Sequence, residues 1–158
     1  MRVHIGRFPK DGSDRKISVK LHKWDSWNAD NTLAIIAHPL LVQLKATKHG
    51  APLVDDEDVP DELKSTSAPP KENDYDVDGN HFKRWDWVMD EMIFAMQEIA
   101  REDDGDLQFY DHSEVDESAD LNTQVRQMKV DRAGLQAYHD RIQNGCRLFG
   151  KYFTSLWD

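Results

Sequence analysis

Apolar residues recur three and four positions apart in three segments of the chain, the spacing that places side chains on one face of an α-helix. The clearest stripe lies within residues 80–101 and consists of Phe82, Trp85, Met89, Met92, Met96 and Ile99. Apolar neighbours on both flanks widen this stripe, so the helix is predicted to be buried on more than one side. Two further helices are predicted over residues 28–49 and 131–156.

Local signals refine the two outer helices. Asp30 or Asn31 is expected to cap the first helix, and Gly50 ends it. Pro39 removes one helical hydrogen bond, so this helix is either kinked there or begins at the proline. In the last helix Gly145 falls on the apolar face, where the missing side chain would allow a neighbouring helix to approach closely.

The remaining segments predict a small sheet and two long loops. Apolar and polar residues alternate on both sides of a Pro, Asp and Gly cluster within residues 1–24, which indicates a β-hairpin. Short strands are expected at Leu107–Tyr110 and Gln124–Val130, whereas residues 51–79 and 102–122 read as loops with one helical turn at Pro60–Lys64. The sequence therefore predicts one α+β domain over residues 1–158, with three main helices and a small antiparallel sheet.

Length and cysteine content limit the class of protein. A chain of 158 residues can bury a core without disulfides or metals. The single cysteine, Cys146, cannot form an intramolecular bridge, and no secretory or membrane-spanning segment is recognisable. We therefore expect a cytoplasmic protein that does not bind membranes.

The net charge of −10 argues against nucleic acid as a partner, because cationic side chains supply most of the affinity for phosphate backbones. Six carboxylates lie within residues 55–62 and nine within residues 102–120. Solvated loops are the favoured interpretation of these clusters, and mimicry of DNA is the less favoured one.

Two patterns are compatible with a metal ion. Asp74, Asp76, Asp78 and Gly79 form D-x-D-x-D-G, the first half of a calcium loop, but Trp85 stands where the bidentate carboxylate belongs. An Asx-rich turn that caps a helix at Asn80 is therefore preferred.

The second pattern places His49 six residues before the carboxylates of residues 55–58, which would suit a hydrolytic metal. A solvated acidic loop is again preferred. No metal, cofactor or catalytic residue is predicted.

Cations and tryptophans give a set of candidate binding residues. Arg147 and Lys151 share one face of the last helix with Arg141 and Asn144, where they could hold a phosphate or could pair with the acidic loops. Cations also gather at the start of the central helix, where free amides favour anions. The candidate ligand-binding residues are Lys48, His49, His81, Lys83, Arg84, Trp87, Arg147 and Lys151.

Several long runs of residues resemble a family of small proteins encoded by tailed bacteriophages, including phages of marine cyanobacteria. These runs are K-W-D-S-W-N at Lys23–Asn28, K-H-G-A-P-L-V-D-D-E-D-V-P at Lys48–Pro60, S-T-S-A-P-P-K-E-N at Ser65–Asn73, H-F-K-R-W-D-W-V-M-D-E-M-I at His81–Ile93 and R-I-Q-N-G-C-R-L-F-G-K-Y at Arg141–Tyr152. The resemblance implies a phage protein that acts in the infected cell or in the virion, and it carries over no catalytic residues.

These observations support three functional hypotheses. The first is a binding protein of the infected host cytoplasm whose partner is a nucleotide-like small molecule, such as a host immune signal, or a host protein. The second is a virion structural or assembly protein, and the third is a metal-dependent hydrolase. The broad apolar helix faces also predict a homo-oligomer.

Overall fold

Four helices and two small antiparallel sheets make up the fold in the computed structural model, which describes residues 1–71 and 73–157. The helices are α1 (Ala29–Thr47), α2 (His81–Ala100), α3 (Leu121–Gln127) and α4 (Arg132–Lys151). The strands are β1 (Arg2–Ile5), β2 (Ile17–Lys20), β3 (Tyr110–Asp111) and β4 (Lys129–Val130). The predicted α+β class is confirmed.

Helix α2 is the centre of the molecule, because it packs against α1 on one side and against α4 on another. Trp85, Met89, Met92 and Met96 of the predicted stripe are buried, as expected for the core of the domain. The prediction was wrong for Phe82, whose side chain is 49% exposed. Periodicity identifies the apolar face of a helix but not the point along that face where the packing partners end.

The contact between α2 and α4 is close because α4 has no side chain at Gly145. A Cβ atom at this position would overlap the carbonyl oxygen of Glu91 and would lie 2.5 Å from the Cβ of Ala95. The predicted close approach at Gly145 is therefore observed.

Helix α1 is continuous through Pro39, so the prediction that it could begin at the proline is wrong. Its N-cap is Asn28, which makes no side-chain capping bond, rather than Asp30 or Asn31. The Asn31 side chain instead donates to the carbonyl oxygen of Ile99 at 2.9 Å and ties the start of α1 to the end of α2.

The predicted hairpin is present as the antiparallel pair β1 and β2, in which Arg2 lies opposite Lys20 and Ile5 opposite Ile17. No residue in the range 1–33, all of which the structure describes, is buried. We call residues 1–23 the N-terminal arm. This arm exposes Ile5, Ile17, Val19 and Leu21 to solvent.

The region after α2 differs from the prediction. The strand expected at Leu107–Tyr110 is mostly a 3-10 turn, Gly105–Phe109, and β3 begins only at Tyr110. The strand expected at Gln124–Val130 is helix α3 followed by the short β4. Asp120 caps α3 by accepting the amides of Asn122 and Thr123, and these bonds, which form only in the folded turn, favour helix over strand in this segment.

The last helix ends earlier than residue 156, because a 3-10 turn at Phe153–Ser155 follows Lys151. Leu156 still packs against the core. Within the described residues, no helix has both the length and the apolar character needed to cross a membrane.

Residues 51–71 and 73–79, which we call the covering segment, contact the start of α2 and the end of α4. Three 3-10 turns shape it, at Asp56–Asp58, Asp61–Leu63 and Ser65–Ser67. Val54 and Val59 from this segment are buried in the core. The helical turn predicted near residues 60–64 is the second of the three.

Candidate functional site

The carboxylate of Asp58 in the covering segment has three side-chain partners near the end of α4, and only 4% of this residue is exposed. Its Oδ1 accepts a bond of 2.6 Å from the Arg147 guanidinium. Its Oδ2 accepts from the Tyr152 hydroxyl and from the Lys151 ammonium, each at 2.6 Å. The Tyr152 hydroxyl in turn accepts the Asp55 amide at 3.1 Å, so the end of α4 holds both side chain and backbone of the segment.

These contacts set the protonation of the cluster. Burial by itself raises the pKa of Asp58, but hydrogen bonds from Lys151, Tyr152 and Arg147 outweigh burial and keep the pKa below its ordinary value. Burial and the bond to Asp58 raise the pKa of Tyr152 to about 12. At physiological pH the Asp58 carboxylate is therefore ionised, and the neutral Tyr152 hydroxyl donates a hydrogen bond to it.

Asp55, Glu57 and Asp58 form the one group among the described residues whose carboxylates converge closely enough to hold a metal ion, with ligand atoms within 4.8 Å of one another. The Lys151 ammonium lies 2.8, 3.2 and 2.6 Å from these three carboxylates. A lysine already supplies the positive charge at the centre of this group, which makes it a poor hydrolytic metal site. The calcium pattern at Asp74, Asp76 and Asp78 does not gather into such a group.

A second ion pair fixes the start of α2. Arg84, which is 4% exposed, donates through two nitrogens to the Asp78 carboxylate at 2.9 and 2.6 Å and also to the Leu63 carbonyl oxygen. The Arg84 bonds hold the pKa of Asp78 at about 2. The Nε of Arg84 is the one buried side-chain nitrogen or oxygen in the described chain without a hydrogen-bond partner.

Asn80 does not cap α2 in the way the sequence suggested. It occupies the N-cap position, but its side chain makes no capping bond and donates instead to the carbonyl oxygens of Glu62 and Lys64. The backbone carbonyls of the covering segment compete successfully for this amide. The first turn of α2 is therefore without a side-chain acceptor from its N-cap residue.

Five of the eight predicted binding residues lie in two groups, Arg147 and Lys151 at the end of α4 and His81, Lys83 and Arg84 at the start of α2. Arg147 and Lys151 lie together on Asp58 at the end of α4, so the expected pairing of these cations with an acidic loop is observed. At the start of α2, His81 is buried with Nε2 3.1 Å from the Ala51 carbonyl oxygen, and Lys83 donates to the Asn80 side chain at 3.3 Å.

The other three predicted residues have different environments. Lys48 forms an ion pair with Asp86 at 2.7 Å, Trp87 is half-buried against the core, and His49 is exposed. Most of the predicted cations therefore already have a carboxylate or amide partner. Whether the set binds a ligand stays a prediction.

Sequence reasoning missed several residues that organise this region. Asp58 and Tyr152 are 94 positions apart in the chain, and Glu91 accepts a forked bond from Arg141 across 50 positions. The Arg141 guanidinium also lies 3.7 Å from the centre of the Phe94 ring. The spacing of Glu91, Phe94 and Glu98, three and four positions apart along one side of α2, was the available signal for a polar edge facing α4.

Comparison with known proteins adds no assignment: no family model, no curated protein and no solved structure matches this chain.

Proposed function

We propose that this chain is a small binding protein of a tailed bacteriophage that acts in the host cytoplasm and captures an anionic, nucleotide-like molecule, such as a host immune signal. The observation that carries the proposal is the first turn of α2, which we call uncapped because its N-cap residue Asn80 supplies no side-chain acceptor. The amides at a helix N-terminus bind anions, because they point outward and the helix dipole is positive there. The phage origin rests on the sequence resemblance.

Two side chains support this location. Lys83 is exposed and places its ammonium next to the uncapped turn, at the Asn80 side chain. Arg84 lies in the same turn and retains a buried Nε donor without an acceptor in the described chain. Trp87, one turn further along α2, offers a half-buried ring to a base. Lys48, Arg147 and Lys151 already neutralise carboxylates, so they have less charge to offer an anionic ligand. The start of α2 is therefore the preferred location of the site.

A thermal-shift experiment tests the proposal directly. The purified protein is heated with a panel of cyclic dinucleotides and ADP-ribose derivatives. Ligand at 100 times its dissociation constant adds about 2.7 kcal/mol to the free energy of unfolding, so a true ligand raises Tm by several degrees. No shift with any member of the panel would reject nucleotide capture.

A matched pair of variants locates the site. Lys83→Glu replaces a cation next to the uncapped turn, whereas Lys10→Glu makes the same charge change in the exposed loop of the N-terminal arm. We expect the first variant to abolish the ligand-induced shift and the second to retain it. Equal losses in both variants would indicate general electrostatic attraction rather than a site at α2.

A second candidate, a virion or assembly protein, is favoured by large apolar side chains that are exposed to solvent. Ile17 on the arm and Leu33 and Leu40 on α1 are each more than 60% exposed. Exposed apolar patches of this kind are typical of protein contacts. Mass spectrometry of purified phage particles tests this candidate, because a virion component must be present in stoichiometric amounts.

A further inference from the structure

An apolar groove lies between α1 and the end of α4. Its walls are formed by Ala37, Leu40, Leu41, Leu44, Phe149, Phe153 and Leu156. The cavity has a volume of about 140 Å³. An apolar protein cavity of about 150 Å³ accommodates a benzene molecule, so this groove has room for one phenyl ring.

The surface around the groove has the composition of a protein interface. Helix α1 carries only Asp30 and Lys45 as charged residues among its 19 positions, although 32% of the whole chain is charged. Leu33 and Leu40 on the side of α1 next to the groove are 66% and 64% exposed. Depletion of charge at an apolar centre distinguishes interfaces from ordinary surface.

The N-terminal arm carries an exposed phenyl ring. Phe8, in the loop between β1 and β2, is 77% exposed and is not among the residues that line the groove. Arg15 holds this loop in shape, since it donates to the Gly6 carbonyl oxygen at 2.6 Å and lies 4.6 Å from the centre of the Phe8 ring. The ring is therefore presented outward on an ordered loop.

One side of the hairpin in the arm is apolar and largely exposed to solvent. Val3, Ile5, Ile17 and Val19 face each other across the two strands and so share one side of the hairpin. An isolated two-stranded hairpin is marginally stable in water and gains stability when such a face packs against another surface.

The positive charge of the N-terminal arm indicates which kind of partner it binds. Residues 1–23 contain seven Lys and Arg but two Asp, whereas the rest of the chain contains 13 Lys and Arg but 28 Asp and Glu. A basic arm is attracted to the acidic body of a second copy, and the same acidic body repels nucleic acid. Exposed Asp55 and Glu57 contact Lys151, which comes just before the groove residue Phe153 in the sequence.

We infer that the arm of one protomer docks on a second copy of this chain, with Phe8 inserted into the groove between α1 and α4. The basic residues of the arm then lie against the acidic body of the partner. This docking covers the apolar face of the hairpin and the exposed leucines of α1 together. It is independent of the nucleotide site proposed at α2, because the two use different residues.

Light scattering across a concentration series tests the docking. We expect a dimer or larger assembly, and Phe8→Ala should weaken the association about 10- to 100-fold, because one large apolar side chain loses its burial. Leu40→Asp should act similarly, whereas Leu121→Asp, at an exposed leucine outside the groove, should leave the mass unchanged. Circular dichroism of each variant shows that the fold is retained.

Disulfide formation between chains that carry one cysteine each tests whether the arm docks on a second copy or on its own chain. In a Cys146→Ser background, Arg7→Cys is placed next to Phe8 and Gln43→Cys next to the groove, in separate chains of different size. Oxidation should give a mixed dimer containing one chain of each kind, and Leu121→Cys in place of Gln43→Cys should not.

Three results would overturn the inference: a monomeric wild type, an assembly that is unaffected by Phe8→Ala, or the absence of a mixed dimer when the Arg7→Cys and Gln43→Cys chains are oxidised together.

Discussion

Gly145 on α4 lies directly against the backbone carbonyl of Glu91 on α2, and this contact sets the distance between the two helices. The first atom that a new Cβ at this position would meet is the backbone oxygen of Glu91. A backbone atom cannot move aside by a change of side-chain rotamer. The absence of a side chain at Gly145 therefore determines how closely α4 can pack on α2.

Replacing Gly145 with alanine should destabilise the fold. Overpacking costs about 1–3 kcal/mol, which exceeds the gain of up to about 1 kcal/mol that alanine brings to a helix. We expect a lower Tm in calorimetry. Gly150→Ala on the same helix is the matched control, since a Cβ there meets nothing within 4 Å, and it should raise Tm slightly. A stabilised Gly145→Ala variant would contradict the close contact.

Asp58→Asn should loosen the covering segment. The substitution removes a buried negative charge that accepts bonds from Arg147, Lys151 and Tyr152. A hydrogen bond to a charged group contributes about 1.5–3 kcal/mol to stability. Urea denaturation should show a loss of about 2–3 kcal/mol, limited because Arg147 and Lys151 can regain water. Glu57→Gln, an exposed partner of the same lysine, should leave stability nearly unchanged.

The Asp78–Arg84 pair should make stability depend on acid pH. Because Arg84 lowers the pKa of Asp78 from 3.8 to about 2 in the folded chain, ionised Asp78 stabilises the fold above the unfolded pKa. This contribution, about 2 kcal/mol, is lost as the pH falls from about 4 to about 2. Denaturation curves at a series of pH values should show this loss, and Asp78→Asn should remove this part of the pH dependence.

Arg141→Lys should weaken the contact between α2 and α4 although the charge is kept. A lysine can neither form the forked bond to Glu91 nor lie flat on the Phe94 ring. We expect a loss of about 1 kcal/mol in the free energy of unfolding. Arg132→Lys, at an exposed position at the start of α4, is the control and should cost less.

The helical part of the fold was predictable because each long helix carries its own periodicity. The positions of Trp85, Met89 and Met92 in the core followed from spacing alone. Helix α3 was missed because its seven residues carry no apolar stripe, and the capping bonds of Asp120 form only once the turn exists. Short elements depend on contacts that a local pattern does not contain.

The candidate site was predictable only in part, for a similar reason. The sequence identified Arg147 and Lys151 as neighbours on a helix face, but it did not identify Asp58 as the carboxylate between them. Asp58 is one of six carboxylates within residues 55–62, and nothing local distinguishes the buried one from the exposed ones. Tertiary packing determines which of these carboxylates is buried.

The central position of α2 has a consequence for biosynthesis. Helices α1 and α2 leave the ribosome first and can pair, but the side of α2 that contains Glu91 and Ala95 lacks its packing partner until α4 has been made. About thirty residues separate the end of α2 from the start of α4. The nascent chain therefore exposes this side of α2 during the interval, when chaperones or a neighbouring nascent copy have access to it.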